Sequence, residues 1–106
     1  MEKDLNISRL CDVYGSLLTE HRREIVRSYY DYDLSLAEIA ENFGITRQAA
    51  LCSIRQAEEK LNGLEEKLGI MDKSDRLVKE LNELYGKVVG NSDAQSTIAR
   101  LMRDFG

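Results

Sequence analysis

The sequence predicts an all-α protein in which a helix-turn-helix is followed by C-terminal helices, with about six helices in all. The chain has no proline among its 106 residues, and proline is the residue that most strongly disrupts a helix interior. Apolar residues recur at spacings of three and four along most of the chain, which is the period of a helix packed on one face. Serine, threonine and glycine stand where such helices would begin and end. We expect no strand.

The length and the charge of the chain restrict its organisation. With 42% hydrophobic and 32% charged residues, the chain is apolar enough to fold and fits one domain, residues 1–106. We expect a helix-turn-helix core over residues 1–69, which includes a long recognition helix, and a helical extension over residues 70–106. The formal net charge of -4 excludes a protein that binds nucleic acid through bulk positive charge.

The sequence shows no targeting signal and no cysteine motif. No stretch approaches the ~18 apolar residues of a membrane span, and the first four residues are polar and of mixed sign, unlike an export sequence. Cys11 and Cys52 form no C-x-x-C pair, so we expect reduced thiols in a cytoplasmic protein. A redox role for Cys52 is the alternative interpretation.

Periodicity and caps define the first two helices. Thr19 is suited to cap the second helix, which should stop near Asp31-Tyr32-Asp33, where weak helix formers cluster. The first helix is predicted over about residues 6–17 by apolar residues at helical spacing: Leu5, Leu10, Val13, Tyr14, Leu17 and Leu18.

The next segment has the clearest boundaries. Ser35-Leu36-Ala37-Glu38 forms a capping box that starts a short helix, and Gly44 supplies its left-handed end. Thr46 is a second N-cap, and Gly69 should end the long helix that it starts; Gly63 weakens this helix without breaking it. An apolar seam runs along the long helix: Ala50, Ile54, Ala57, Leu61, Leu64 and Leu68.

Two more helices are predicted beyond residue 70. Asp72 or Ser74 is placed to cap the first, Gly90-Asn91 to break it, and Ser92-x-x-Gln95 to form another capping box. The last helix bears Ile98, Leu101, Met102 and Phe105. The preceding helix carries an apolar seam. The apolar residues of the two helices together are more than one short core needs, which predicts a homodimer through the four residues of that seam: Leu77, Leu81, Leu84 and Val88.

Residues 35–61 carry the main functional signal. A short capped helix, a tight turn at Gly44 and a longer capped helix are the parts of a helix-turn-helix. The second helix of this motif presents one face to a groove or to a partner. An ordinary pair of helices inside an all-α core is the alternative.

The outward face of the long helix carries polar side chains. If Ala50 faces the core, a turn of roughly 100° per residue places the exposed positions opposite to it. Arginine and glutamine bind guanine and adenine edges bidentately, whereas Glu59 on the same face would repel phosphate. Arg22 and Arg23, in the preceding helix, are candidates for a phosphate contact, with a solvated helix face as the alternative. The candidate nucleic-acid or partner-binding residues of the long helix are Arg47, Gln48, Cys52, Arg55 and Gln56.

Several tracts resemble known proteins. The DNA-binding region of sigma factors is similar to Leu17-Leu18-Thr19-Glu20, Leu36-Ala37-Glu38-Ile39-Ala40-Glu41 and Gly44-Ile45-Thr46-Arg47-Gln48-Ala49. The YlxM-like family of small bacterial proteins is more similar still, over about residues 5–90. The matching tracts are Tyr29-Tyr30 with Asp33-Leu34-Ser35-Leu36, Thr46-Arg47-Gln48-Ala49, and Glu58 through Leu68. The resemblance implies a sigma-factor-like helix-turn-helix of the winged-helix superclass without a wing. Gene neighbourhood in that family implies a regulatory role in the signal recognition particle pathway, by binding the particle's RNA or its GTPase.

The charge is unevenly distributed along the chain. Residues 1–46 hold five Lys or Arg against nine Asp or Glu, and the remainder is balanced. Because the acidic excess flanks the recognition helix, we favour the signal recognition particle pathway, which the resemblance implies, over a role at a promoter. A sequence-specific DNA-binding transcription regulator that acts as a dimer is the alternative. A third interpretation is a helical interaction module in which the helix-turn-helix is only scaffold.

Enzymatic chemistry has little support in the sequence. His21 has no cysteine near it in sequence, and its neighbours Glu20 and Glu24 fit a helix surface. There is no glycine-rich phosphate loop and no nucleophile elbow. We expect no catalytic residue, no cofactor and no metal.

Overall fold

The structure, a computed structural model, describes residues 5–106. The polar residues 1–4, on which the absence of an export sequence was predicted, lie outside that range. Over the described residues the chain forms six α-helices, one short 3-10 helix and no strand, which confirms the all-α prediction. The chain divides into two compact units, one ending at Leu68 and one comprising Gly69–Gly106. This division lies next to the boundary expected between core and extension, and the single domain of residues 1–106 stays a prediction.

The first unit contains four α-helices and the 3-10 helix. The predicted first helix is shorter than expected, because its α-helical part stops at Tyr14 and a 3-10 turn continues to Leu17. A side chain at Gly15 would come within 3.2 Å of Cys11 Sγ and 3.4 Å of Arg23 Cδ. Glycine therefore allows the backbone to lie close to the second helix at this point. The elements are α1 (Leu5–Tyr14), the 3-10 helix (Gly15–Leu17), α2 (Glu20–Tyr30), α3 (Leu36–Phe43) and α4 (Arg47–Leu68).

The predicted caps of the first unit are present. Thr19 Oγ1 accepts a hydrogen bond from Arg22 N at 3.2 Å. Ser35 Oγ accepts from Glu38 N at 3.1 Å while Glu38 Oε1 accepts from Ser35 N at 3.2 Å, which completes the capping box. Thr46 Oγ1 accepts from the third residue of α4 at 3.0 Å. Each cap satisfies a backbone donor that the first turn of a helix leaves unpaired.

The core of the first unit lies between its helices. Around the helix-turn-helix, Ile25, Ile39, Ala50 and Ile54 form one buried cluster against which Phe43 packs. Each fully buried isoleucine contributes on the order of 2 kcal/mol, so this cluster holds α3 and α4 at a fixed angle. The buried apolar side chains of the unit are Ile7, Leu10, Cys11, Tyr14, Leu18, Ile25, Val26, Ile39, Ala40, Ala50, Ile54, Ala57 and Leu61.

The second unit is a pair of helices, α5 (Ile70–Lys87) and α6 (Ser92–Phe105). Both predicted caps of this unit are wrong. Asp72 and Ser74 lie inside α5, because Gly69, with φ +62°, already turns the chain and the helix begins directly after it. Asn91 caps α6 in place of Ser92, since Asn91 Oδ1 accepts a hydrogen bond from Ala94 N at 3.0 Å.

Little of the second unit is buried. Among its apolar side chains Ile98 of α6 is buried, whereas α5 has no buried residue. Leu77 and Leu84 remain 39% and 44% exposed, and Leu81 and Val88 are partly exposed. The predicted seam of α5 is therefore an apolar stripe at the surface of this unit. No helix among the described residues is long and apolar enough to cross a membrane.

Candidate nucleic-acid interface

The turn between α3 and α4 sets the direction of the long helix. Gly44 has φ +65°, a left-handed conformation that side chains other than glycine adopt with strain. Ile45 N donates to Ala40 O at 3.0 Å and so closes the end of α3, while the Ile45 side chain packs against the core. The chain then enters α4 at once through the Thr46 cap. This geometry is the predicted helix-turn-helix.

The structure places every predicted binding residue of α4 at the surface. Ala50, Ile54 and Ala57 face the core with at most 2% exposure, and Leu51 is partly buried. Within residues 5–106, Arg47 and Arg55 make no ion pair. We call the exposed set the α4 outer face: Arg47, Gln48, Cys52, Arg55 and Gln56. Its role in binding stays a prediction.

One predicted residue of α2 joins this face. Arg22 Nη2 donates a hydrogen bond to Gln56 Oε1 at 2.6 Å. Arg22 is half-buried, and Gln56 lies near the middle of α4. The preceding helix therefore contributes a cation to the α4 outer face, a pairing that helical periodicity within each helix does not reveal.

The other two arginines of α2 are differently placed. Arg23 is half-buried and lies beside Gly15, so it is not brought to the α4 outer face by any contact of the described chain. Arg27 Nη1 bonds Asp31 Oδ2 at 2.7 Å and Asp12 Oδ1 at 3.2 Å. The hydrogen bond from Ser8 and the guanidinium of Arg27 hold the pKa of Asp31 below its ordinary value. Arg27 thus stabilises the junction of α1 and α2.

Two tyrosine hydroxyls anchor α4 to the helices before it. Tyr30 of α2 donates to Glu58 Oε1, and Tyr14 of α1 donates to Glu65 Oε1 at 2.6 Å. Glu58 and Glu65 therefore connect α4 to α2 and to α1. Their separation of seven residues places both carboxylates on one side of α4, which is the only signal in the sequence that could have revealed their shared role.

The remaining reactive side chains of residues 5–106 that the sequence singled out are His21, Cys11 and Cys52. His21 is exposed, and its ring meets Phe43 edge-on at 5.6 Å. Burial raises the pKa of the Cys11 thiol, which keeps it protonated, and Cys52 is exposed. Over the part of the chain that the structure describes, no group of three His, Cys, Asp or Glu residues is placed to hold a metal ion. What the site offers is hydrogen-bond donors and positive charge.

Comparison with known proteins agrees with this geometry. The family model that describes YlxM/p13-like helix-turn-helix proteins, UPF0122, matches residues 1–103. A UPF0122 protein of Desulforamulus reducens is 40% identical over 96 residues, covering 91% of this chain and 82% of the relative. One from Halalkalibacterium halodurans is 39% identical over 102 residues, covering 96% and 90%. One from Clostridium botulinum is 44% identical over 92 residues, covering 80% and 84%. The chain therefore belongs to the UPF0122 family of YlxM/p13-like helix-turn-helix proteins.

Proposed function

We propose that this chain is a cytoplasmic, non-catalytic regulatory protein that binds nucleic acid or a protein partner through the α4 outer face. The observation that supports this most is the pair of exposed arginines, Arg47 and Arg55, on the second helix of a helix-turn-helix. Both lack an ion pair among the described residues, and both point away from the core. Guanidinium groups in this setting bind phosphate oxygens or guanine edges.

We propose the signal recognition particle pathway as the setting, with the particle's RNA or its GTPase as the partner. The resemblance to YlxM-like proteins supports this choice, because their gene neighbourhood implies such a role. The local charge supports it as well. Glu38 and Glu41 are exposed on α3, the helix that in DNA-bound helix-turn-helix proteins crosses the phosphate backbone, so close approach of duplex DNA is electrostatically disfavoured there.

Retention on purified particle components tests this proposal. We expect the chain to be retained by the RNA or by the GTPase at micromolar concentration. Arg55→Ala should weaken retention several-fold, since each lost cation contact reduces affinity and salt dependence. Lys79→Ala is the matched control, because it removes one exposed cation from α5 and leaves α4 intact. Lack of binding to both components would contradict the proposal.

Duplex DNA is the second candidate partner, with the chain acting as a dimeric transcription regulator. The exposure of Gln48 together with Arg47 and Arg55 favours it, because these side chains can bind adenine and guanine edges in the major groove. This alternative requires a reproducible sequence preference, an affinity that falls with salt, and loss of that preference in Arg55→Ala. Binding of equal strength to all duplexes would argue against it.

Dimerisation through α5 is part of the same proposal. Leu77, Leu81, Leu84 and Val88 follow a spacing of 4, 3 and 4 residues, and all four are at least partly exposed. A helix pair with so little buried apolar surface gains stability when a second copy covers it. A dimer would also double the number of α4 outer faces, as operator binding by helix-turn-helix proteins requires.

A further inference from the structure

The hydrogen bond between α2 and α4 fixes the orientation of one amide group. Arg22 Nη2 lies 2.6 Å from Gln56 Oε1. A guanidinium group carries only donors, so the atom of Gln56 that faces it must be the carbonyl oxygen. The amide nitrogen of Gln56, with its two N–H groups, therefore points away from Arg22.

This orientation restricts what Gln56 can bind. Glutamine recognises adenine by accepting from N6 and donating to N7 at the same time. In this protein Gln56 Oε1 already accepts a hydrogen bond from the Arg22 guanidinium. An adenine amino group that donated to the same oxygen would bring its positive hydrogens close to that cation. The guanidinium thus disfavours, at Gln56, the adenine contact that the sequence suggested. Gln56 presents donors.

The pair carries one positive charge, while Glu59, one turn further along α4, is the exposed acidic residue of that helix nearest to Gln56 in sequence. Arg22 makes no ion pair with a carboxylate among the described residues, so its charge is not neutralised by a direct partner. Gln56 adds N–H donors next to that charge. The guanidinium of Arg22 and the N–H groups of the Gln56 amide match an anionic oxygen, for which charge-assisted hydrogen bonds are shortest and strongest.

We propose that Arg22 and Gln56 together bind a phosphate oxygen of the nucleic-acid backbone. The inference rests on the proposed function and deepens it, because it separates the α4 outer face into two parts. Gln56, held by Arg22, positions the chain on the backbone, whereas Arg47, Gln48 and Arg55 contact the bases. Phosphate contacts fix register without reading sequence, and base contacts carry the specificity.

Substitutions at the two kinds of position distinguish these roles. We expect Gln56→Glu to weaken binding at least tenfold on every sequence of a panel of duplex DNAs and RNA hairpins, with their ranking unchanged. Gln48→Glu introduces the same charge on the same face and should instead change the ranking. Arg22→Met should weaken all binding and lower the slope of log affinity against log salt by about 0.9 on duplex DNA, or about 0.7 on single strands. Lys79→Met is the control for loss of an exposed charge on α5, outside the first unit.

The measurements also separate failure of this inference from failure of the proposed function. If the unaltered chain binds neither nucleic acid nor the GTPase at micromolar concentration, both are overturned. If it binds the GTPase alone, the phosphate role is overturned and the proposed function stands. If the chain binds nucleic acid and Gln56→Glu either changes the preference for one base or has no effect, only the phosphate role is overturned. Uniform loss on duplex DNA or on RNA supports it and identifies which backbone is bound. Far-UV circular dichroism and the thermal midpoint of each variant establish that it is folded.

Discussion

Gly44 is the residue on which the entry into α4 depends. Its φ of +65° lies in the left-handed region, and the Ile45 N–H reaches Ala40 O at 3.0 Å only with the chain turned in this way. A side chain at Gly44 would meet no other atom within 4 Å. Any effect of a substitution there therefore comes from backbone strain and not from a clash.

We expect Gly44→Ala to lower the free energy of unfolding by about 1–2 kcal/mol, because a Cβ atom is unfavourable in the left-handed conformation. Gly63→Ala is the matched control. Gly63 lies inside α4 with no atom within 4 Å of an added Cβ, so alanine should raise the free energy of unfolding by up to about 1 kcal/mol. Urea denaturation followed by circular dichroism measures both. If the two variants changed the free energy of unfolding in the same direction, backbone strain at Gly44 would not be the cause.

Asp31 links stability to pH. Its carboxylate accepts from Ser8 Oγ at 2.5 Å and from Arg27 at 2.7 Å, and these bonds lower its pKa in the folded chain. A lowered pKa means that the ionised group stabilises the fold above the unfolded value of about 4. That contribution is lost as the pH falls through the folded value.

Asp31→Asn should therefore destabilise the chain at pH 7 and have little effect near pH 2. The difference at pH 7 is on the order of 0.5 kcal/mol, because the ion pair is partly exposed to solvent. Urea midpoints at the two pH values measure it, with Asp104→Asn, an exposed carboxylate of α6, as the control. A difference of equal size at both pH values would show that charge is not the cause.

At the scale of elements, caps decide where each helix begins. Thr19, Ser35 and Thr46 were predicted correctly from sequence because each is followed by a helical run and preceded by a break. In the second unit the same logic selected Ser92 over Asn91, since Ser92-x-x-Gln95 matches a capping box. The backbone shows the opposite: Asn91 has φ -110° and ψ 93° and stands outside α6, whereas Ser92 is already helical.

We expect Asn91→Ala to lower the free energy of unfolding by about 1 kcal/mol, because Ala94 N would lose its side-chain acceptor. Ser92→Ala should change it by less than about 0.5 kcal/mol. Hydrogen exchange of the α6 amides in the two variants reports directly on this helix. Faster exchange in Ser92→Ala than in Asn91→Ala would show that Ser92 caps α6, as the sequence predicts.

Contacts between helices were the least predictable part of the site. The exposed positions of α4 follow from the helical period alone once Ala50 is placed in the core. The partner of Gln56 does not, because it depends on how α2 crosses α4, and the sequence separation of 34 residues carries no information about that crossing. The same holds for Arg27, whose bond to Asp12 of α1 depends on how α1 packs against α2.

In the chain as a whole, several carboxylates of the acidic residues 1–46 stabilise the fold. Asp12 and Asp31 bond Arg27, and Glu38 closes the capping box of α3. Glu41 remains exposed on the same helix. These carboxylates therefore do more than repel anions, although the net negative charge of residues 1–46 still repels an approaching polyanion at long range.

Leu84→Glu tests the proposed dimer. Leu84 is 44% exposed on the α5 seam, so a carboxylate there would be buried without a partner in a dimer and solvated in a monomer. We expect sedimentation equilibrium at tens of micromolar to give twice the 12.1 kDa chain mass for the unaltered protein, and a single chain mass for the variant. Val89→Glu is the control, because Val89 lies off the seam with 79% exposure. A monomeric unaltered protein would refute the dimer.

The tyrosine anchors of α4 have a consequence for how its recognition surface could change. Tyr30 and Tyr14 bond Glu58 and Glu65, both C-terminal to the α4 outer face. Turning α4 by one residue, roughly 100° about its axis, would break both bonds. The direction in which Arg47, Gln48 and Arg55 point is thus set by residues other than themselves. New side chains at those positions would be displayed at an unchanged angle, so a library restricted to them would alter partner choice while preserving the scaffold.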